Sequence, residues 1–70
     1  MTKLNTIPVK SSNIVSIGWD SQNKRLLVER KEGTYAYKAP RAEYDNLMLA
    51  DSKGRYFNLN IRNKYEWEKL

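Results

Sequence analysis

Cysteine and histidine are both absent from this chain of 70 residues. Without cysteine there is no disulfide staple and no thiolate metal site, and without histidine there is no imidazole ligand and no ordinary neutral-pH base. Stability has to come from packing. Glycine and proline number only three and two, so those present punctuate turns and element ends rather than building a low-complexity linker. No apolar run approaches the roughly 18 residues of a membrane span. The opening Met-Thr-Lys-Leu-Asn-Thr-Ile-Pro-Val-Lys also lacks the continuous apolar stretch of a secretion signal. These absences predict a cytoplasmic, soluble protein with no cofactor, no metal and no membrane partner. A chain of this length buries only about 60% of its unfolded surface, so one core and one domain are the limit.

What the sequence has in excess is positive charge, with 13 Lys+Arg over 8 Asp+Glu and a net charge of +5. Such an excess favours anionic partners but also keeps small domains in solution, so its distribution says more than its total. Residues 52–65 hold Lys53, Arg55, Arg62 and Lys64 without an acid, while Glu43, Asp45 and Asp51 precede them and Glu66 and Glu68 follow. The same stretch carries Tyr56, Phe57 and Tyr65 together with Asn58, Asn60 and Asn63. Cations neutralise phosphates, aromatic rings stack on bases and amides hydrogen-bond to them. This is where a binding function most plausibly sits; a solvated charged surface is the bland alternative.

Upstream, the pattern is that of a β-meander. Residues 12–19 place Val15, Ile17 and Trp19 on one side of a strand and Ile14, Ser16 and Gly18 on the other, and the run stops at the turn formers Asp20, Ser21, Gln22, Asn23 and Lys24. Residues 25–31 alternate Leu26 and Val28 with Leu27 and Glu29, and Gly33 supplies the residue for a tight turn. Residues 34–38 return with Tyr35 and Tyr37 on one face. Arg30 interrupts the apolar alternation and reads as a strand-end residue laying its alkyl stem over the core edge. An apolar sheet face needs a covering layer. A helix from Pro40 provides it, with Glu43 and Asp45 near its positive end and Tyr44, Leu47 and Met48 on a buried stripe.

Asp51, Ser52, Lys53 and Gly54 end that helix, and Ser52 is placed to N-cap a second, shorter one docked by Phe57 and Ile61. Helical geometry over residues 53–63 then puts Arg55, Asn58 and Arg62 on one outward stripe. Lys53 and Arg55 break a local rule, because the helix dipole disfavours cations in the first turn by about some tenths of a kcal/mol. Two accounts of this remain open. Basic side chains beside free N–H groups and the close-approach residue Gly54 would make an anion site; alternatively, Asp51 pairs with Arg55 at i, i+4 and nothing external binds.

Taken in order, Ser11-Ser12-x-Ile14, Ile17-Gly18-Trp19-Asp20, Tyr35-x-Tyr37, the Pro40 helix with Tyr44 and Leu47, and Ser52-Lys53-Gly54-Arg55-Tyr56-Phe57-Asn58-x-x-Ile61-Arg62-x-x-Tyr65 resemble the KTSC domain. That family is named from a small domain at the C-terminus of some lysyl-tRNA synthetases. The resemblance covers about residues 11–65 and implies a stand-alone bacterial or phage member. It brings no catalytic residues to carry over, and only an analogy toward tRNA.

The expected architecture is α+β: a three-stranded antiparallel β-meander packed by one helix and followed by a second short helix. Residues 1–10 read as an arm, or as an edge strand through Ile7 and Val9, and residues 11–70 as the domain. The expected function is a small non-catalytic module that binds nucleic acid (RNA, tRNA or single strands) through Lys53, Gly54, Arg55, Tyr56, Asn58, Arg62 and Lys64. In that reading the cations meet phosphates and Tyr56 or Tyr65 stacks on an unpaired base, while Phe57 is core. The alternative is a protein-interaction module for an acidic surface of a host factor or larger enzyme, with Trp67 either an anchor or folded back onto the sheet. Enzymatic activity is disfavoured, since no carboxylate pair, Walker loop or dinucleotide fingerprint is present.

Overall fold

The alternating segments of the sequence form one antiparallel sheet in a computed structural model that describes residues 6–11 and 13–70. Its strands are β1 (Thr6–Pro8), β2 (Ser16–Asp20), β3 (Arg25–Arg30), β4 (Gly33–Tyr37) and β5 (Trp67–Lys69), with α1 (Arg41–Leu49) and α2 (Lys53–Asn60) between β4 and β5. The spatial order follows the chain, β1-β2-β3-β4-β5. The sheet therefore has five strands and not the expected three. The central hairpins are those the alternation predicts, with Asp20 accepting from Gln22 N, Asn23 N and Asn23 Nδ2 in the first turn. Gly33 takes φ +144 in the second, where a side chain would be strained.

The added strands lie at the two edges. Pro8 suits an edge because it has no N–H to give to a further neighbour. β5 returns after α2 and pairs with β4 in the register Tyr35↔Lys69, Ala36↔Glu68, Tyr37↔Trp67.

Register assigns the faces. Ile17, Val28 and Tyr35 form one cross-strand row and Trp19, Leu26, Tyr37 and Trp67 the next, and α1 and α2 close over this side. Ile14, Ile17, Leu26, Val28, Tyr37, Leu47, Phe57 and Ile61 are at most 2% exposed and make one cluster. Tyr44 and Met48 pack against it beside Leu47, so the predicted stripe of α1 is present. Both helices thus cover the same face, giving two layers. The opposite face has a buried row of Gly18, Leu27 and Ala36 flanked by polar pairs: Ser16 Oγ donates to Glu29 Oε1 at 2.7 Å, and Arg25 Nη1 reaches Glu68 Oε1 at 3.0 Å.

One expected phase is reversed. Ile14, not Val15, joins Ile17 in the core, and Val15 is 45% exposed. The strand begins only at Ser16, and bends at Asn13 and Val15 precede it, so strict alternation cannot be extrapolated back to those residues. No helix of the described residues is long and apolar enough to cross a membrane.

Candidate nucleic-acid interface

Ser52 caps α2 as its side chain type requires, its Oγ accepting from Arg55 N at 3.4 Å. The helix ends at Asn60, and Ile61 has left helical geometry with φ −121 and ψ −50. Arg62 therefore sits in the turn beyond α2 rather than on its outward stripe, its N–H bonded back to Phe57 O at 2.9 Å. Arg55, Asn58, Arg62 and Lys64 are all exposed, but on two elements. Helical spacing alone runs past this end because Asn58 and Asn60 carry no stop signal as clear as glycine or proline.

Two members of the predicted motif do internal work. Lys53 Nζ donates to Ala50 O at 3.0 Å, where Ala50 caps the C-terminus of α1. The loop between the helices is so short that the negative end of α1 lies beside the first turn of α2, and this explains a cation at a helix start. Gly54 is buried, and a Cβ there would come within 3.1 Å of Ser11 Oγ and 3.4 Å of Asn13 Nδ2. The close approach it permits is that of the N-terminal segment, not of an anion. Among the described residues Arg55 has no ion-pair partner, so the Asp51–Arg55 pair does not form.

Tyr56 and Tyr65 are likewise engaged. The Tyr56 hydroxyl donates to Glu43 Oε1 at 2.7 Å and the Tyr65 hydroxyl to Glu43 Oε2 at 3.0 Å. One carboxylate in the first turn of α1 thus joins α1, α2 and the segment after it. Both phenols are held above the usual tyrosine range, first by these hydrogen bonds to Glu43 and then by burial. Neither ring is free to swing onto a base without giving up that contact.

The pairing has a pH consequence. An unfolded chain releases phenolic protons near the ordinary value of 10.0, whereas the folded state holds them to higher pH. The unfolded state then binds fewer protons, so stability is intact below that value and falls as pH rises through the elevated ones. We expect the urea midpoint, followed by circular dichroism from about pH 8 to about pH 11, to drop on the alkaline side. Glu43→Gln should make that drop shallower, and an unchanged slope would show that the carboxylate does not hold the phenols.

The cations left outward are joined by residues that the sequence did not assign to them. Arg30 lies with its guanidinium carbon 5.7 Å from the Phe57 ring centroid and 5.9 Å from that of Tyr35, and pairs with Glu32 at 3.3 Å. The expected stem over the core edge is there, and a cation in an apolar position of a strand was its sequence signal. Trp67 folds back as β5, its ring edge-on to Tyr35 at 5.4 Å, yet remains 55% exposed. Arg62, Asn63 and Trp67 wall a cleft with Arg30, Glu32, Tyr35 and Tyr37. Nothing brings three His, Cys, Asp or Glu side chains together as a metal site among the described residues.

A five-stranded antiparallel sheet with both helices on one face defines a small two-layer α+β domain. Residues 10–65 match the KTSC domain. The crystal structure of a KTSC domain protein from Yersinia pestis is similar at 40% identity and a TM-score of 0.88, over 97% of this chain and 99% of that one. No curated protein matches. The chain belongs to the KTSC domain family.

Proposed function

We propose that this protein is a non-catalytic module that binds nucleic acid in the cytoplasm through Arg55, Asn58, Arg62 and Lys64. The observation that carries the reading is how the fold distributes its charges. Asp20, Glu32, Asp45, Glu66 and Glu68 are in ion pairs and Glu29 and Glu43 accept hydrogen bonds, which leaves exposed Asp51 as the one acid with neither among the described residues. Arg55, Arg62 and Lys64 are exposed and have no ion-pair partner among the described residues. Unpaired guanidinium and ammonium groups beside an exposed amide are suited to phosphate contacts, with the amide available to a base or sugar. The family's name, taken from a lysyl-tRNA synthetase appendage, adds an analogy in the same direction.

The test is a titration of labelled tRNA, single-stranded RNA and DNA, and duplex DNA at low and physiological salt, with Arg55→Ala/Arg62→Ala as the comparison. Contacts to about three phosphates give a log–log salt slope of about −2 for single strands, and the double variant should lose about 1.4 of it. Circular dichroism should show both proteins folded. Equal binding by the two proteins, or none by the wild type at low salt, would sink the reading. A protein partner for the exposed Trp67 would then be the alternative to pursue by pull-down.

A further inference from the structure

The cleft beside Arg62 has a volume of about 340 Å³ and brings cations and rings together. β3, β4 and the turn between them supply one wall through Arg30, Glu32, Tyr35 and Tyr37, and the turn after α2 supplies the other through Arg62 and Asn63, with Trp67 of β5 at the side. Arg30 is held in place from two directions, by its contacts with the Tyr35 and Phe57 rings and by Glu32. Burial pushes the Tyr37 phenol upward, and both Arg30 and Arg62 oppose that push. Arg30 and Arg62 thus line the same cleft as Tyr37. Glu32 neutralises part of this field and leaves Arg62 as its unpaired cation.

Trp67 completes the chemistry. Its ring and that of Tyr35 lie at an interplanar angle of 70° rather than stacked face to face, and the residue is 55% exposed. A shallower hollow of about 550 Å³ shares Arg62, Asn63 and Trp67 with the cleft and continues to Lys64, Tyr65 and Glu66, whose carboxylate is paired with Lys38 at 3.5 Å. The groove therefore runs over the turn from one cation to the next with an aromatic surface between them.

Resting on the nucleic-acid reading above, we propose that this groove binds a single strand, with one phosphate between Arg30 and Arg62, an unpaired base on Trp67, and the following phosphate toward Lys64. Asn63 is placed for a hydrogen bond to that base or its sugar. Single strands expose base faces to an aromatic platform, and stacking tolerates any sequence because every base has such a face. A duplex keeps its bases paired and stacked, so it meets the cations but not Trp67. The proposal moves the stacking role from Tyr56 and Tyr65, whose hydroxyls Glu43 holds, to a ring that is more than half exposed.

The experiment compares a labelled oligothymidylate of about 12 nucleotides with a duplex of equal length, bound by wild type, Trp67→Ala, Trp67→Phe, Arg62→Ala and Arg55→Ala. The expected result is preference for the single strand, a loss of about tenfold or more in Trp67→Ala, and substantial recovery in Trp67→Phe. Duplex binding should be indifferent to Trp67, whereas Arg55→Ala should weaken single strand and duplex alike. Wild-type protein carrying 5-fluorotryptophan gives one resonance for each of its two tryptophans, and only that of Trp67 should move on adding the single strand. This readout holds even if Trp67→Ala fails to fold. Single-strand binding with no movement of the Trp67 resonance, weakened by Arg55→Ala, would overturn the groove and leave the general reading standing. No binding to any nucleic acid would overturn both.

Discussion

Phe57→Ala is expected to leave the protein largely unfolded at physiological temperature. Phe57 is 1% exposed and is one of the few apolar side chains by which α2 reaches the core. Its ring meets Tyr37 at 5.2 Å in an edge-on arrangement, and Arg30 lies across it at 5.7 Å. Truncating a buried phenylalanine costs about 3–5 kcal/mol, through lost transfer energy and the cavity left behind. Domains hold about 0.05–0.15 kcal/mol per residue, so a chain this small has on the order of 3.5–10 kcal/mol to lose. A thermal melt should show the midpoint falling by upwards of about 10 °C. A fall of only a few degrees would mean that α2 is not anchored through Phe57, and would put the position of the following basic turn in doubt as well.

The same residues show why much of the fold was legible in the chain. β3 and β4 carry Leu26, Val28, Tyr35 and Tyr37 at a period of two, and α1 carries Tyr44, Leu47 and Met48 at helical spacing. In each case a single repeated spacing decides which face is buried. β5 offers no such repeat: Trp67, Glu68 and Lys69 are all exposed and the strand exists because β4 has a free edge to pair with. Strict alternation puts Ile14 and Val15 on the wrong sides because a bend, not a pleat, sets their directions.

At the candidate interface, residue type indicated the chemistry but not who engages whom. Lys53 and Arg55 look alike in sequence, and only the short turn back to Ala50 O commits Lys53 to the end of α1. Gly54 is demanded by Ser11 and Asn13, distant in sequence and adjacent in space. Tyr56 and Tyr65 each carry a polar tip that needs a partner once the ring packs, which is the one local hint of Glu43. The grouping of Arg30, Arg62 and Trp67 depends on β5 closing the sheet, so a reading that stops at three strands cannot reach it.

Leu47→Ala and Leu49→Ala, two residues apart on α1, should differ by several kcal/mol. Successive helical residues are separated by about 100° around the axis, so positions i and i+2 point to nearly opposite sides. Leu47 is 0% exposed in the core and Leu49 is 82% exposed. Removing the Leu47 side chain is expected to cost about 2–5 kcal/mol, because the sheet beneath cannot collapse fully into the cavity. At Leu49 the change should stay within about 0.5 kcal/mol, since water already surrounds the lost atoms and alanine is the better helix former. Urea unfolding of the two variants beside wild type gives both values at an unchanged slope. Similar large losses at both positions would mean that Leu49 is covered in solution. A second copy of the chain is the simplest cover, and the midpoint would then rise with protein concentration.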